Sequence, residues 1–297
     1  MLKEIVIILI VILFIVIFLS YLKARILYKP EECDPVKYDR FFDKLNHLAG
    51  TDNEIITQFI STNDNIMIDT TCIKNNDSKK LAIFFHGNAG NMSMRFDMIK
   101  FLHNYSSVLI FDYRSYGRSS GYISDLSSKT LLLDAKAVWN YAIDGLEYQP
   151  NDIVFFGESL GCAVSIQLAC ELSKTDYVPQ ALILNCPFRS LSSMINHYLE
   201  QLRLGWASGL ISTIFGQEYS SDKIIKTLNP NIEVVIAHCI RDEIIPYYQG
   251  CELFRILYDT HPDSKFLSIR GTHNSLVLTE SYVYTLAQIF EDKKLIH

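Results

Sequence analysis

Residues Gly157–Glu158–Ser159–Leu160–Gly161 spell G-x-S-x-G between the apolar run DIVFF (152–156) and the helix-like AVSIQLACEL. That pentapeptide does chemistry where a strand turns sharply into a helix. The serine Oγ then stands over the sheet, and glycines at both ends spare side chains that would collide with neighbouring backbone. The helix N-terminus behind Ser159 adds free N–H groups and a positive dipole end. A serine hydroxyl is a weak nucleophile and needs a base. His273, in Arg270–Gly271–Thr272–His273–Asn274, follows the apolar run KFLSI (265–269). The base in turn needs an orienting acid, and Asp242 follows EVVIA (233–237) after His238–Cys239–Ile240–Arg241. The chain order Ser159, Asp242, His273 is that of a nucleophile, acid and base carried on strand ends of an open sheet.

Each of these residues has a competitor. Glu243 adjoins Asp242, which also reads as a turn or helix-cap acid. Of the eight histidines, His47, His103, His197, His261 and His297 lack the strand-end position, whereas His86 and His238 share it. The turn His86–Gly87–Asn88–Ala89–Gly90–Asn91 follows LAIFF (81–85). Its Asn88 N–H and the Leu160 N–H are the expected oxyanion donors, and losing one such donor typically costs about 2.7–4 kcal/mol of transition-state stabilisation. The turn also resembles a phosphate-binding loop, but no Gly-Lys-Ser/Thr follows and G-x-G-x-x-G is absent.

Positioning these groups requires strands that end side by side. The runs 54–60 and 65–73, separated by the turn residues Ser61–Asp64, predict an antiparallel hairpin. Six continuously apolar runs follow, at 81–85, 107–112, 152–156, 181–185, 233–237 and 265–269. Strands buried on both faces read this way. Helix-like segments lie between them, including Met92–His103, Ser127–Ala142, Leu160–Ser173 and Tyr247–Leu257. The alternation predicts a doubly wound α/β domain over 51–297, with ligands beyond the carboxyl ends of the strands. The connection 187–232 is longer than one crossover helix needs. Its apolar residues (Met194, Ile195, Tyr198, Leu199 and Leu202, then Trp206 to Phe215) suit either an amphipathic helix covering the sheet or a cap over the site.

The ends of the chain differ in character from its body. Residues 5–19 are all apolar, and Tyr21 and Leu22 extend the run, giving a span of roughly 27 Å against a ~30 Å hydrocarbon core. A transmembrane anchor over 5–22 is expected within 1–30 rather than a cleaved signal, whose apolar region is shorter and ends in small residues. Lys23, Arg25 and Lys29 after the span, against Lys3 before it, place the body on the cytosolic side of a single-pass protein. Residues 31–50, opening with EECDPVKYDR, read as a juxtamembrane linker. The 297 residues carry 27 Lys+Arg and 33 Asp+Glu, a net charge of -6, which leaves no basic surplus for nucleic acid. The 7 cysteines form no CxxC pair and no zinc-ligand spacing. Most lie in apolar runs, as Cys170 and Cys186 do, and read as small core hydrophobes. Sequons at Asn76, Asn91 and Asn104 would matter only in a lumenal chain.

The motifs FFHGNAGN (84–91), FDYRSYGRSSG (111–121), GESLG (157–161), RDEIIP (241–246) and GTHN (271–274), in this order over roughly residues 50–290, resemble the α/β-hydrolase superfamily. More narrowly, the chain is similar to its Bem46-like serine hydrolases, many of which carry an N-terminal hydrophobic anchor. The resemblance implies the α/β-hydrolase fold, a mostly parallel central sheet covered by helices on both faces. It also implies Ser159 as nucleophile, His273 as base, Asp242 as triad acid, and Asn88 and Leu160 as oxyanion donors. Ser115, Cys162 and Cys239 stand where the family usually has glycine. Some relatives are depalmitoylating thioesterases with an N-terminal cysteine cluster; here only Cys33 lies near the apolar run.

The expected activity is hydrolysis of a carboxylic ester or thioester through an acyl-enzyme, without metal or organic cofactor. A small-molecule or lipid acyl substrate, or an acylated protein, would suit an anchored enzyme. The alternatives are a catalytically inactive binding module on the same fold and a serine peptidase, which shares the acyl-transfer chemistry.

Overall fold

The computed structural model describes residues 21–175, 177–209 and 218–291. Nine strands form its main sheet: β1 (Ile55–Ser61), β2 (Met67–Ile73), β3 (Leu81–Phe85), β4 (Ser107–Phe111), β5 (Ile153–Glu158), β6 (Ala181–Asn185), β7 (Glu233–Cys239), β8 (Lys265–Thr272) and β9 (Ser275–Val277). Their spatial order is β9-β8-β7-β6-β5-β3-β4-β2-β1. The six apolar runs pair in parallel, as expected for strands with no polar face. The β1–β2 hairpin joins β4 antiparallel, and β9 closes the other edge antiparallel to β8.

Side chains alternate across the sheet into two cores. Phe85 packs edge-on against Phe111 and Phe155 on one face, while Phe84 meets Phe156 on the other. Fully burying each such ring stabilises the fold by about 1.5–3 kcal/mol. Helix α4 (Leu160–Leu172) buries ten of its thirteen residues beneath the first face. Helix α7 (Glu280–Phe290) buries Tyr282, Leu286 and Ile289 on the second.

Residues 31–50 are not a linker. Helix α1 (Pro35–Ala49) occupies them, begun by Asp34, whose side chain accepts from the N–H groups of Val36 and Lys37, with Pro35 in the first turn. The polar letters hide a stripe at helical spacing. Tyr38, Phe41, Leu45 and Ala49 are buried against the second face of the sheet. Asp112, at the end of β4, accepts from the Tyr38 hydroxyl and from the Met92 N–H at 2.7 Å. Arg118 forks onto Asp69 and lies over the rings of Tyr38 and Phe42. The tyrosine-rich motif at 111–121 therefore fastens α1 to the sheet.

The expected anchor lies outside the described residues, apart from Tyr21 and Leu22. Both are helical, as are the described residues up to 27, and this stretch packs on the domain through Ala24, with Tyr28 buried just after it. Among the described residues no helix is long and apolar enough to cross a membrane.

In the long connection, α5 (Leu191–Gln201) is followed by a short turn at Gly205–Ala207. Residues 210–217 lie outside the described residues, so the proposed cap at 187–232 is seen in part. Tyr198 donates to the Ile244 carbonyl at 2.6 Å, which seats α5 against the loop that carries Asp242. Leu202 and Trp206 expose 67% and 84% of their surface, so this segment carries an apolar outer side.

Candidate active site

Ser159 sits between β5 and α4 with φ 53° and ψ -114°, a conformation that costs a non-glycine residue energy and turns its side chain out of the strand line. Both flanking glycines are required by close approach. A Cβ on Gly161 would lie 1.9 Å from the Phe85 carbonyl oxygen, and one on Gly157 would lie 2.8 Å from the Cys162 Cα. The Ser159 N–H bonds the Asn185 carbonyl at 3.0 Å, extending the ladder one residue past β5.

Asp242 follows β7 in a turn in which its N–H returns to the Cys239 carbonyl. Its Oδ1 accepts from the N–H groups of Ile244 at 2.9 Å and Ile245 at 2.7 Å. Its Oδ2 lies 2.8 Å from His273 Nδ1. Burial pushes this carboxyl up, but the His273 contact and the two backbone donors hold it below the usual carboxylate range. An ionised carboxylate only accepts, so His273 carries its proton on Nδ1 and presents Nε2 as the basic nitrogen. His273 occupies a two-residue turn between β8 and β9, where Thr272 pairs with Ser275. Gly271, at φ 115°, allows that turn because a Cβ there would lie 2.1 Å from the Ser275 carbonyl oxygen. Glu243, the competing acid, accepts instead from the backbone N–H of His273 at 3.1 Å.

The turn after β3 abuts the elbow. A Cβ on Gly87 would lie 3.5 Å from the Ser159 Cβ. Among the described residues nothing accepts a hydrogen bond from the N–H of Asn88 or of Leu160. The direction of the Asn88 N–H is set by His86. His86 Nδ1 donates to the Gly87 carbonyl at 2.7 Å. That carbonyl and the Asn88 N–H belong to one planar trans peptide, so holding one aims the other the opposite way. Burial lowers the His86 pKa to about 3, and the ring is neutral. Its Nε2 faces Asp112 Oδ1 at 3.5 Å, and burial pushes the Asp112 carboxyl up to about 7. His238, the other strand-end histidine, is buried. Its Nε2 meets the Ile245 carbonyl at 2.9 Å, which supports the Asp242 turn from beneath.

Cys186 is the residue whose place the sequence did not disclose. It follows β6 with φ 51°, is 2% exposed, and forms with Asp242 and His273 a set of ligand-type atoms within 4.8 Å of one another. That is the one group among the described residues with metal-ligand types at metal-ligand spacing. Two of its three members already engage each other. Of the positions that depart from glycine, Ser115 adopts φ 66°, and Cys162 is buried with its Sγ 3.2 Å from the carbonyls of Gly157 and Asn185. Cys239 is buried beside the Thr272 carbonyl at 3.3 Å.

No protein-family model matches the chain. It is 48% identical over 277 residues to protein R595 of Acanthamoeba polyphaga mimivirus, covering 92% of this chain and 94% of that one. It is 27% identical over 239 residues to protein bem46 of Schizosaccharomyces pombe, covering 78% of this chain and 75% of that one. Among solved structures, the Pyrococcus furiosus esterase Pf2001 superposes with a TM-score of 0.63 at 20% identity, covering 82% of this chain and 91% of that one. The last likeness is one of fold.

Proposed function

The chain belongs to the Bem46-like α/β-hydrolases, and from that premise we propose that it is a serine hydrolase of carboxylic esters or thioesters. The observation that carries this reading is the 2.8 Å contact between Asp242 and His273, which follow strands β7 and β8 of the same sheet whose β5 ends in the strained Ser159 turn. In the first step Ser159 Oγ attacks the acyl carbonyl as its proton passes to His273 Nε2. Asp242 holds the ring in the tautomer that accepts this proton and stabilises the imidazolium. The N–H groups of Asn88 and Leu160 receive the oxyanion. As the acyl–oxygen or acyl–sulfur bond breaks, the same proton goes to the leaving alcohol or thiol. Water, deprotonated by His273, then releases the acid from acyl-Ser159 and restores the hydroxyl.

The substrate class we assign is a lipid or an acylated protein presented at a bilayer. The apolar run 5–22 would hold the body at the membrane with the catalytic domain on the cytosolic side, and the exposed Leu202 and Trp206 add apolar surface on the segment that follows α5. Labelling with a fluorophosphonate probe, which phosphonylates activated serines, tests the activity. Wild type should label and Ser159→Ala should not. Folded wild type that stays unlabelled would sink the reading.

A further inference from the structure

Residues 27–32 cross the oxyanion turn and bond to it repeatedly. Asn88 Nδ2 donates to the Leu27 carbonyl at 2.7 Å, and Asn88 Oδ1 accepts from the Lys29 N–H at 3.3 Å and from the Tyr116 hydroxyl at 3.0 Å. Lys29–Pro30 pairs in parallel with Ala89–Gly90, and the Glu31 N–H reaches the Gly90 carbonyl. Asn91 Nδ2 donates to the carbonyls of Glu31 and Glu32. The far side of the segment is also fastened. Tyr28 is buried, its hydroxyl 2.8 Å from the Tyr219 hydroxyl and 3.2 Å from Glu218 Oε2. Lys23 pairs with Glu218, which also accepts from the Ser128 N–H at 2.9 Å. Glu218 and Tyr219 begin the described chain just after 210–217, at the far end of the long connection.

We propose that residues 27–30 are a strap that positions the oxyanion donor, with the Asn88 side chain as its clasp. Asn88 has two separable roles. Its backbone N–H receives the oxyanion, and its side chain, which reaches no reacting atom, ties that backbone to the strap. Both lone pairs of Oδ1 are taken, so the side chain has one geometry in which it is satisfied. Together with the His86 bond to the Gly87 carbonyl, this pins the peptide on both sides of its N–H. A donor displaced by a fraction of an ångström loses its advantage in the transition state, where charge develops, rather than in the ground state. The chain between the apolar run and the domain thereby bears directly on catalysis, and Tyr28 does so through Leu27 and Lys29. This inference rests on the assignment of Asn88 and Leu160 as oxyanion donors.

The test uses the full chain with p-nitrophenyl butyrate, comparing wild type, Asn88→Ala and Tyr28→Phe. Asn88→Ala keeps the backbone donor and removes the clasp. Its kcat should fall about ten- to hundred-fold with KM within about twofold. Tyr28→Phe removes the strap's hydroxyl contacts while keeping its buried ring, and should show the same kcat-specific pattern at about threefold. Unchanged kcat in both folded variants would overturn the strap, as would losses that follow the fraction of unfolded protein or that appear in KM. The Ser159→Ala labelling result is independent of these rates. Labelling lost in Ser159→Ala with unchanged kcat in the strap variants would leave the hydrolase reading standing and the strap refuted.

Discussion

Replacing Asp242 by Asn separates the role of the acid from that of a spacer. Asp242 Oδ1 accepts two backbone N–H bonds, from Ile244 and Ile245. In the variant the carboxamide oxygen must stay on that side, because the opposite rotamer would set an NH2 group against two donors. The amide nitrogen then faces His273 Nδ1. Two donors cannot face each other, so the ring shifts its proton to Nε2, and the nitrogen that should take the Ser159 proton is already protonated. The fold changes little, since all three contacts keep a partner. A wrong tautomer in an acyl-transfer triad typically lowers kcat by about 10⁴-fold, which at about 1.36 kcal/mol per decade is roughly 5 kcal/mol of barrier. Steady-state hydrolysis of p-nitrophenyl butyrate reads this directly, with circular dichroism to verify folding. Glu243→Gln is the control. Among the described residues Glu243 hydrogen-bonds only the His273 backbone N–H, which the Gln oxygen can still accept, so kcat should stay within about twofold. Asp242→Asn retaining more than a tenth of wild-type kcat, or Glu243→Gln collapsing as far, would refute this reasoning.

Three further outcomes follow from the packing. Phe41→Ala, on the helix that replaces the expected linker, should destabilise the domain by about 3–5 kcal/mol in urea unfolding, whereas a true linker residue would cost almost nothing. Asp112→Asn should gain stability relative to wild type as pH rises from about 4 to about 7. In that window the native Asp112 keeps a proton that the unfolded chain has released, so wild-type stability falls with pH while the amide cannot titrate. Denaturation at pH 4.5 and pH 7 shows the sign, and a variant that loses stability relative to wild type between those two values would be the wrong outcome. Gly161→Ala places a methyl group against the Phe85 carbonyl and should lower the thermal midpoint sharply together with probe labelling.

The parts of this structure that were legible in the sequence share a physical cause. Strands β3 to β7 are buried on both faces, so their letters are almost uninterruptedly apolar and a strand end follows each run; β8, of which only Ile269 is fully buried, reads as apolar although most of it is partly exposed. Ser159, Asp242 and His273, the residues proposed for the site, are read from such positions, and the structure brings Asp242 and His273 into contact. Helix α1 was missed because only one side of it is buried. Tyr38, Phe41 and Leu45 are separated by Asp, Arg and Lys, and a local reading of polarity saw only those. Its helical spacing and the Asp34–Pro35 start were the available signals. The strap at 27–30 was illegible for a different reason. Its bonds to Asn88 join residues about sixty positions apart, largely through backbone atoms that every sequence possesses. Cys186 is a similar case. Its run ALILNC truly is core, and the thiol meets Asp242 and His273 only because β6 and β7 are neighbours in the sheet. His86 drew notice as a strand-end histidine. Its hold on the Gly87–Asn88 peptide depends on a 2.7 Å bond to the adjoining residue's carbonyl, which no spacing rule reveals.

The proposed reaction passes through a covalent acyl intermediate on Ser159. Wild-type protein quenched in acid during turnover of p-nitrophenyl butyrate, digested and mapped by mass spectrometry, reads it directly. The expected result is a butyryl adduct on the peptide containing Ser159, absent from Ser159→Ala. Turnover that proceeds equally in Ser159→Ala, or an adduct carried by another residue such as Cys186, would contradict it.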